Sequence, residues 1–341
     1  MSERTPESTR EPGARPTISD VALAAGVSKS TVSRALNPEH RFFRSPSAAR
    51  IREIAEGVGY EPNPVAANLR RQQTNTFGVL VPRLTDTVMA MFYEEVATAC
   101  TRRGYHALVA TSHDEPQLER ENGRMLLGRR VDGLILTTAR TEGGFCQELL
   151  ERGVPHVLAM RTFGDNAAAV GDDRLGGYLA TRHLLDLGHR RVALVAGPAY
   201  ASSALGRRAG YEDALREAGL PAVVLPSTFS MESGEDAGRA LLALDPRPTA
   251  VFAVNDNTAV GLLSAVQRAG VRVPEELSVV GYNDIPLAAR LPVPLTTIRV
   301  PFTEIAGAAV DLLIDAGAGV PATTRRFAPT LIPRGTTLRV G

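Results

Sequence analysis

Long apolar segments are missing from this sequence of 341 residues. No run approaches the roughly 18 apolar residues of a membrane-spanning helix, and residues 1–16 lack the apolar core of a signal peptide. We therefore expect a cytoplasmic protein that makes no membrane contact.

Cysteine is scarce as well, because Cys100 and Cys146 are the only two, and they have neither metal-binding spacing nor the number needed for a disulfide framework. We expect both to be buried free thiols.

The common motifs of catalysis and cofactor binding are also missing. GxGxxG, GxxxxGK[ST], GxSxG and HExxH do not occur, and the six histidines are scattered along the chain. The sequence therefore predicts neither a metal site nor a bound cofactor, and it does not predict an enzyme. Catalysis stays open as an alternative, because a catalytic triad can be assembled from residues that are distant in sequence.

Charge is unevenly distributed, although the net charge is only +1. Residues 15–75 contain nine basic and five acidic side chains and so carry +4, which leaves −3 for the rest of the chain. A basic N-terminal region on a slightly acidic body is typical of a protein that binds nucleic acid. A merely solvated basic region is the alternative that charge alone leaves open.

The start of the basic region predicts a helix-turn-helix. Ser19 is a candidate N-cap for a first short helix that ends at Gly26, and Ser28 is a candidate N-cap for a second helix through Leu36. In this motif the second helix enters the major groove with its N-terminal end. We therefore predict DNA contacts from the outward positions of this helix, which are Lys29, Ser30, Thr31 and Arg34. Lys29 is the only lysine in the chain, and Arg34 is the best candidate for a bidentate guanine contact.

Two further helices are predicted after the helix-turn-helix. Ser45 followed by Pro46 begins a third amphipathic helix that ends at Gly59. Asn63 and Pro64 begin a helix of about two turns, which is marginal in water without a partner. In this segment we predict DNA contacts by Ala66, Leu69 and Arg70, with Leu69 as a wedge for the minor groove. A plain interdomain linker is the alternative for this segment.

After residue 75, short apolar runs alternate with helical stretches. Four apolar runs between residues 77 and 160 form one series, and four between residues 191 and 282 form a second. Such alternation predicts two parallel sheets that are covered on both faces. Ligands bind beyond the C-terminal ends of such strands, so two facing sheets define a cleft.

The basic N-terminal region and the rest of the chain together resemble one family. The segments TISDVALAAGVSKSTVSRALN, GYEPNPVAANLRRQQTNTFGVLVP, GHRRVALVAGP, RPTAVFAVND, VPEELSVVGYND and LIPRGTT are similar to the lactose-repressor (LacI/GalR) family from about residue 16 to 337. The resemblance implies a disordered tail (1–15), an all-α three-helix helix-turn-helix head (16–62), a hinge helix and linker (63–75) and an α/β two-lobed periplasmic-binding-protein-like domain (76–341). The N-lobe would comprise about 76–171 and 301–326, and the C-lobe about 172–298 and 329–341.

The resemblance also implies a binding site between the lobes. The residues that match positions in or near the family's effector pocket are Val88, Met89, Met160, Arg161, Asp172, Ser203, Arg207, Phe229, Asn255 and Asn283. Arg207 matches an arginine that holds ligand oxygens, and Phe229 matches an aromatic residue that stacks on the ligand. Asn283 stands where many members have an acid. Asn255 and the neighbouring Asp256 also have the alternative role of capping a helix.

The resemblance implies a homodimeric transcription factor, most often a repressor, that binds a pseudo-palindromic double-stranded DNA operator. A small effector, of carbohydrate type in this family, would act by binding two states of the protein with different affinity. The alternative is a solute-binding receptor that uses the two-lobed domain without binding DNA. Such a receptor would have a signal peptide and no helix-turn-helix, and we expect the reverse here.

Overall fold

The computed structural model describes residues 16–37, 41–60 and 74–340. The chain divides into two units between Thr74 and Asn75, which we call the head and the body. The predicted hinge contacts Ala66, Leu69 and Arg70 lie outside the described residues, as does the predicted tail of residues 1–15. Among the helices of the described part of the chain, none is both long and apolar enough to cross a membrane.

The described head consists of three α-helices and one short 3-10 helix. The helices are α1 (Ile18–Ala25), α2 (Lys29–Ala35) and α3 (Pro46–Gly57), and the 3-10 helix spans Arg41–Arg44. Ser28 and Ser45 cap α2 and α3 as predicted, because each side-chain oxygen accepts a backbone N–H in the first turn. The prediction that Ser19 caps α1 is wrong. Thr17 is the N-cap, and its capping box with Asp20 starts the helix earlier.

A small apolar core joins the three helices of the head. Its buried members are Val21, Ala22, Val32, Ala35, Ala48, Ile51 and Ala55. Arg52 links α3 to the end of α2 and to the 3-10 helix, because its Nη1 donates to the carbonyl oxygens of Ala35 at 3.2 Å and of Phe43 at 2.7 Å. With these side chains turned inward, Lys29, Ser30 and Arg34 are exposed on α2.

The first sheet of the body has six parallel strands in the order β11-β5-β4-β3-β1-β2. The strands are β1 (Thr76–Val81), β2 (His106–Thr111), β3 (Gly133–Leu136), β4 (His156–Ala159), β5 (Ala168–Gly171) and β11 (Thr324–Phe327). The accompanying helices are α4 (Thr87–Arg102), α5 (Pro116–Gly128), α6 (Phe145–Glu151) and α11 (Phe302–Gly317). The central strands are buried on both faces, as expected for a sheet between two layers of helices.

The second sheet also has six strands, in the order β12-β10-β9-β8-β6-β7, and β12 alone among them runs antiparallel to its neighbour. The strands are β6 (Val192–Ala196), β7 (Val223–Pro226), β8 (Ala250–Ala253), β9 (Ser278–Asn283), β10 (Thr296–Arg299) and β12 (Thr330–Ile332). The accompanying helices are α7 (Asp173–Asp186), α8 (Ser202–Glu217), α9 (Met231–Leu242) and α10 (Asp256–Arg268), and a 3-10 helix spans Ala288–Arg290.

The eight strands predicted from apolar runs are present, and four short strands add to them. β5, β10, β11 and β12 have three or four residues each, and only β5, with the sequence AAVG, is apolar throughout. The chain passes between the two sheets three times, after β5, after β10 and after β11. These passages bring the C-terminal ends of strands from both sheets to one cleft.

Candidate functional site

A cavity of about 340 Å³ lies between the two sheets of the body. Nine of the ten residues predicted for the effector pocket line it: Val88, Met89, Met160, Arg161, Ser203, Arg207, Phe229, Asn255 and Asn283. The first four belong to the lobe built on the first sheet, which we call the first lobe, and the other five to the lobe built on the second sheet, the second lobe. The structure thus brings together residues from distant parts of the sequence around one space large enough for a small molecule.

Asp172 does not line this cavity. Its carboxylate oxygen accepts the backbone N–H of Leu175 at 3.0 Å and so caps α7. It borders a separate, smaller cavity of about 80 Å³, to which Ser202 and Arg326 also contribute. The expected effector contact of Asp172 is therefore not supported by its position, because the capping bond directs its carboxylate to its own helix.

Sequence reasoning missed other wall residues of the main cavity. They are Pro82, Arg83, Thr85, Asp86, Asp114, Thr137, Tyr200, Thr228, Ser230, Met231, Glu232 and Asn257. Many of them follow the C-terminal end of a strand, such as Arg83 after β1, Asp114 after β2 and Thr137 after β3. Extending the search to every strand end would have found these residues from the sequence.

Arg207 is buried in the second turn of α8 and is held by groups of its own lobe. Its Nε donates to Oδ1 of Asp173 at 2.9 Å, and its Nη1 donates to the carbonyl oxygen of Val254 at 2.8 Å. The guanidinium carbon lies 3.8 Å from the ring centroid of Tyr282. Burial raises the pKa of Asp173, and the nearby Arg207 guanidinium opposes that rise. The arginine fork expected to hold ligand oxygens is thus largely engaged within the protein.

Arg161 is buried on the opposite wall with weaker partners. Its Nη1 lies 3.4 Å from the carbonyl oxygen of Ala139, and its Nη2 lies 4.0 Å from Oδ1 of Asp114. The rings of Tyr200 and Phe229 are 5.6 and 5.7 Å from its guanidinium carbon. Burial lowers the pKa of Arg161, and the charge of Asp114 opposes that decrease.

Asn255 and Asp256 have different structural roles at the start of α10. The Oδ1 of Asn255 accepts the Thr258 N–H at 2.8 Å, so Asn255 is the N-cap, while its Nδ2 donates to the carbonyl oxygen of Phe229. Asp256 is fully buried and lies outside the cavity wall, where it accepts hydrogen bonds from Thr297 Oγ1 at 2.6 Å and Ile285 N at 2.8 Å. Burial raises the pKa of Asp256 to about 7.

Two amide oxygens in the cavity wall have no hydrogen-bond partner among the described residues. They are Oδ1 of Asn257 and Oδ1 of Asn283, and both are buried. The Nδ2 of Asn257 donates to Oδ1 of Asp86 at 3.1 Å and so joins the two lobes. Buried polar atoms without partners are rare and costly, so these oxygens favour a ligand with hydrogen-bond donors. Met160 and Asn283 also have positive φ angles of 61° and 103°, a strained backbone typical of functional sites.

The head presents a second candidate site on α2. Lys29, Ser30 and Arg34 are exposed, and Thr31 is partly exposed beside them. The Nε of Arg34 lies 3.3 Å from the Ser30 carbonyl oxygen and its Nη2 lies 3.4 Å from Thr31 Oγ1, both within the same helix. These long contacts leave the guanidinium available to another acceptor. Throughout the residues that the structure describes, no group of three or more His, Cys, Asp or Glu side chains could hold a metal ion.

Comparisons with known proteins agree with this division. Residues 17–63 match the family described as "Bacterial regulatory proteins, lacI family", and residues 181–337 match "Periplasmic binding protein-like domain". The ribose operon repressor of Escherichia coli (strain K12) is 36% identical over 87% of this chain and 92% of its own length.

Solved structures are similar over almost the whole chain. The lac repressor dimer bound to operator and the anti-inducer ONPF has a TM-score of 0.84 at 27% identity and covers 95% of this chain and 100% of its own. The complex of the transcriptional regulator CelR with cellobiose has a TM-score of 0.73 at 31% identity and covers 94% and 100%. The similarity therefore extends over head and body together.

Proposed function

Because the chain belongs to the lacI family of bacterial regulatory proteins, we propose that it represses transcription as a homodimer that binds a pseudo-palindromic operator. The observation that carries this proposal is the exposed polar face of α2, where Lys29 and Ser30 lie at the N-terminal end and Arg34 lies one turn further along a helix held by its own small core. In a helix-turn-helix, this end of the second helix contacts base edges. The solved lac repressor dimer bound to operator supports both the DNA partner and the dimeric state.

We further propose that the cavity of the body binds a small carbohydrate or a carbohydrate derivative. A relative whose name refers to a ribose operon and a structural neighbour solved with cellobiose support this class. The wall combines the aromatic face of Phe229 with polar groups such as Ser203 and the amide oxygens of Asn257 and Asn283. Aromatic stacking with a few fixed polar groups suits a ring that carries hydroxyl groups. Since the similar proteins are regulators, we assign the chain a regulatory rather than a catalytic role.

Regulation would operate through the geometry of the two lobes. An effector that binds one arrangement of the lobes better than another shifts the population of the two arrangements. We propose that this shift is transmitted through residues 63–75, with Ala66, Leu69 and Arg70 in contact with operator DNA. Whether the effector releases or promotes operator binding depends on which arrangement it prefers.

The experiment is a selection of operator fragments by the purified full-length chain. Fragments of the genome that encodes the chain are enriched by binding, and sugars are then tested for release or retention of the enriched fragment. An Arg34→Ala variant serves as a control that should enrich the same fragment more weakly while its body remains folded. If the wild type enriches no fragment, the proposed operator binding is incorrect, and equal enrichment by the wild type and the variant would exclude Arg34 from the operator contact.

A further inference from the structure

The two buried arginines of the cavity wall differ in how their charges are balanced. Arg207 has a carboxylate at 2.9 Å, a carbonyl oxygen at 2.8 Å and an aromatic ring at 3.8 Å. Arg161 is equally buried, with 6% of its surface exposed, but its nearest carboxylate oxygen is 4.0 Å away and its one hydrogen bond to a described residue is 3.4 Å long. A guanidinium has five N–H donors, so most of those on Arg161 have no strong acceptor within the described part of the chain.

The carboxylate closest to Arg161 is itself shared. Asp114 lies 3.8 Å from Nη2 of Arg83 and 4.0 Å from Nη2 of Arg161, so two cations face one carboxylate at long range. Arg83 lines the same cavity and its side chain is 41% exposed. Because Asp86 and Glu232 of the same cavity also interact electrostatically with Arg83, the cation that lacks a close carboxylate here is Arg161.

Glu119 is the other acid whose charge reaches Arg161, but it does not form an ion pair with it. Its Oε1 accepts a hydrogen bond from Thr138 Oγ1 at 2.5 Å, and burial raises the pKa of its carboxyl group. The negative charge of Glu119 is thus disfavoured by its own surroundings. A buried cation without a close counter-ion is strongly destabilising, which favours a partner from outside the protein.

We propose that the effector carries an oxyanion, a carboxylate or a phosphate group, that binds to Arg161, with Arg83 as a second cation at the cavity wall. This inference rests on the proposed function, since it specifies the chemistry of the ligand in the same cavity. Planar guanidinium groups bind carboxylate and phosphate oxygens with paired hydrogen bonds. The stacking face of Phe229 and the unpartnered amide oxygens of Asn257 and Asn283 would then contact the uncharged part of the ligand.

The first test uses inorganic phosphate as the probe on the full-length chain. Thermal unfolding is followed at increasing phosphate concentration, with sodium chloride added to keep the ionic strength constant. The wild type should be stabilised in a saturable manner, because phosphate binds the folded cavity. Arg161→Gln should weaken this apparent affinity by about tenfold or more, as expected for loss of a charge-assisted hydrogen bond.

Asp114→Asn should change the affinity for phosphate in the opposite direction to Arg161→Gln. Asp114 competes with the oxyanion for both Arg161 and Arg83, so its removal should strengthen phosphate binding, by roughly two- to tenfold. Arg216→Gln is the matched control, because Arg216 is an exposed arginine on α8 that pairs with Asp213 away from the cavity. Equal stabilisation of wild type and Arg161→Gln, or no saturable stabilisation of the wild type, would overturn the oxyanion site.

The second test compares D-glucose, D-gluconate and D-glucose 6-phosphate by calorimetric titration. Tighter binding of gluconate than of glucose assigns a carboxylate, and tighter binding of the phosphate ester assigns a phosphate. Either preference should disappear in Arg161→Gln. A neutral sugar that binds at least as tightly as both anions contradicts the inference. The proposed function is tested separately, because a chain that binds its operator and responds only to neutral sugars retains that function and excludes the oxyanion.

Discussion

Arg34 shows how the local contacts of one residue bear on a binding role. Its guanidinium is exposed on α2, and its described contacts are long ones, at 3.3 and 3.4 Å, within its own helix. Those contacts are easily exchanged for the O6 and N7 atoms of a guanine, which a guanidinium binds in a bidentate manner. An exposed arginine with a strong internal partner would have to break that ion pair first.

Arg34→Ala should weaken binding to the operator by about 1–3 kcal/mol and relax the preference at one base pair. The measurement is a titration of labelled operator and its single-base variants, with random DNA in parallel. Arg50→Ala is the matched control, because Arg50 is an exposed arginine on α3 of the same head. Equal loss of affinity for operator and random DNA would assign Arg34 to phosphate contacts instead.

Burial makes the contribution of Asp256 to the stability of the fold depend on pH. Its pKa is raised to about 7 because burial disfavours the charged carboxylate, although hydrogen bonds from Thr297 and Ile285 oppose the rise. A folded-state pKa above the unfolded value means that the folded protein binds the proton more tightly. The stabilisation from this group is therefore fully present below the unfolded pKa, near 4, and is lost as the pH rises through about 7.

Asp256→Asn should flatten this part of the pH profile. Between pH 4 and 7 the wild type should lose more free energy of unfolding than the variant, by roughly 1–3 kcal/mol. Denaturant unfolding at several pH values measures the difference, with Asp236→Asn as the control on an exposed, surface-paired aspartate. Equal slopes for wild type and Asp256→Asn would show that this carboxyl group does not titrate in that range.

At the scale of elements, close helix pairs set the geometry of the second lobe. A Cβ atom at Gly210 of α8 would lie 1.9 Å from the Arg174 carbonyl oxygen of α7, and one at Gly177 of α7 would lie 2.0 Å from the Arg207 carbonyl oxygen. The two backbones thus touch through glycines on both sides. This contact brings Asp173 at the start of α7 next to Arg207 on α8.

Gly210→Ala should therefore separate α7 from α8 and lower the free energy of unfolding of the body by about 1–3 kcal/mol or more. Gly128→Ala is the control, since Gly128 at the end of α5 has no atom within 4 Å of an added Cβ, and its stability should be unchanged or slightly higher. Tyrosine fluorescence measures unfolding of the body, because the chain has no tryptophan and six of its seven tyrosines lie beyond residue 75. A stable Gly210→Ala variant would mean that the helices can shift apart without cost.

Elements with strong local signals could be predicted from the sequence, and those without them could not. Ser28 and Ser45 were found because capping depends on the adjacent residues, and the central strands because two-sided burial produces apolar runs. The start of α8 at Ser202 could not be predicted, since Ala201, Ser202 and Ser203 show no helical periodicity. The short strand β11 was missed because half of its residues are arginine.

The candidate site was predictable in its location but not in its electrostatics. Nine of the ten residues that the family resemblance implied line one cavity. The ion-pair partner of Arg207 could not be predicted from the sequence, because Arg207 pairs with Asp173, which lies 34 residues earlier, and no local pattern encodes that pair. For the same reason no local pattern indicates that Arg161 is buried without a close counter-ion.

At the scale of the whole body, a few polar contacts join the two lobes around the cavity. Asn257 Nδ2 donates to Asp86 Oδ1 at 3.1 Å, and the backbone N–H of Thr162 donates to Ser202 Oγ at 2.8 Å. A third contact is purely between backbones, because the N–H of Thr141 donates to the carbonyl oxygen of Tyr200 at 2.9 Å. Because these contacts need both lobes to be close together, they stabilise this arrangement over a more open one.

Asn257→Ala should shift the lobes towards the open arrangement and weaken effector binding by at least about two- to fivefold, since apparent affinity falls with the fraction of competent protein and the proposed contact of Asn257 Oδ1 with the effector is lost as well. The effector for this comparison is the compound that alters operator binding in the fragment selection. Calorimetric titration gives its affinity, and small-angle scattering gives the compaction on binding, which should increase in the variant.

Asn122→Ala is the matched control, because Asn122 donates to the Thr111 carbonyl oxygen within one lobe. By reciprocity, the factor by which effector changes operator affinity must equal the factor by which operator changes effector affinity in each variant. An Asn257→Ala protein with wild-type affinity and compaction would show that the bond to Asp86 does not contribute to lobe closure.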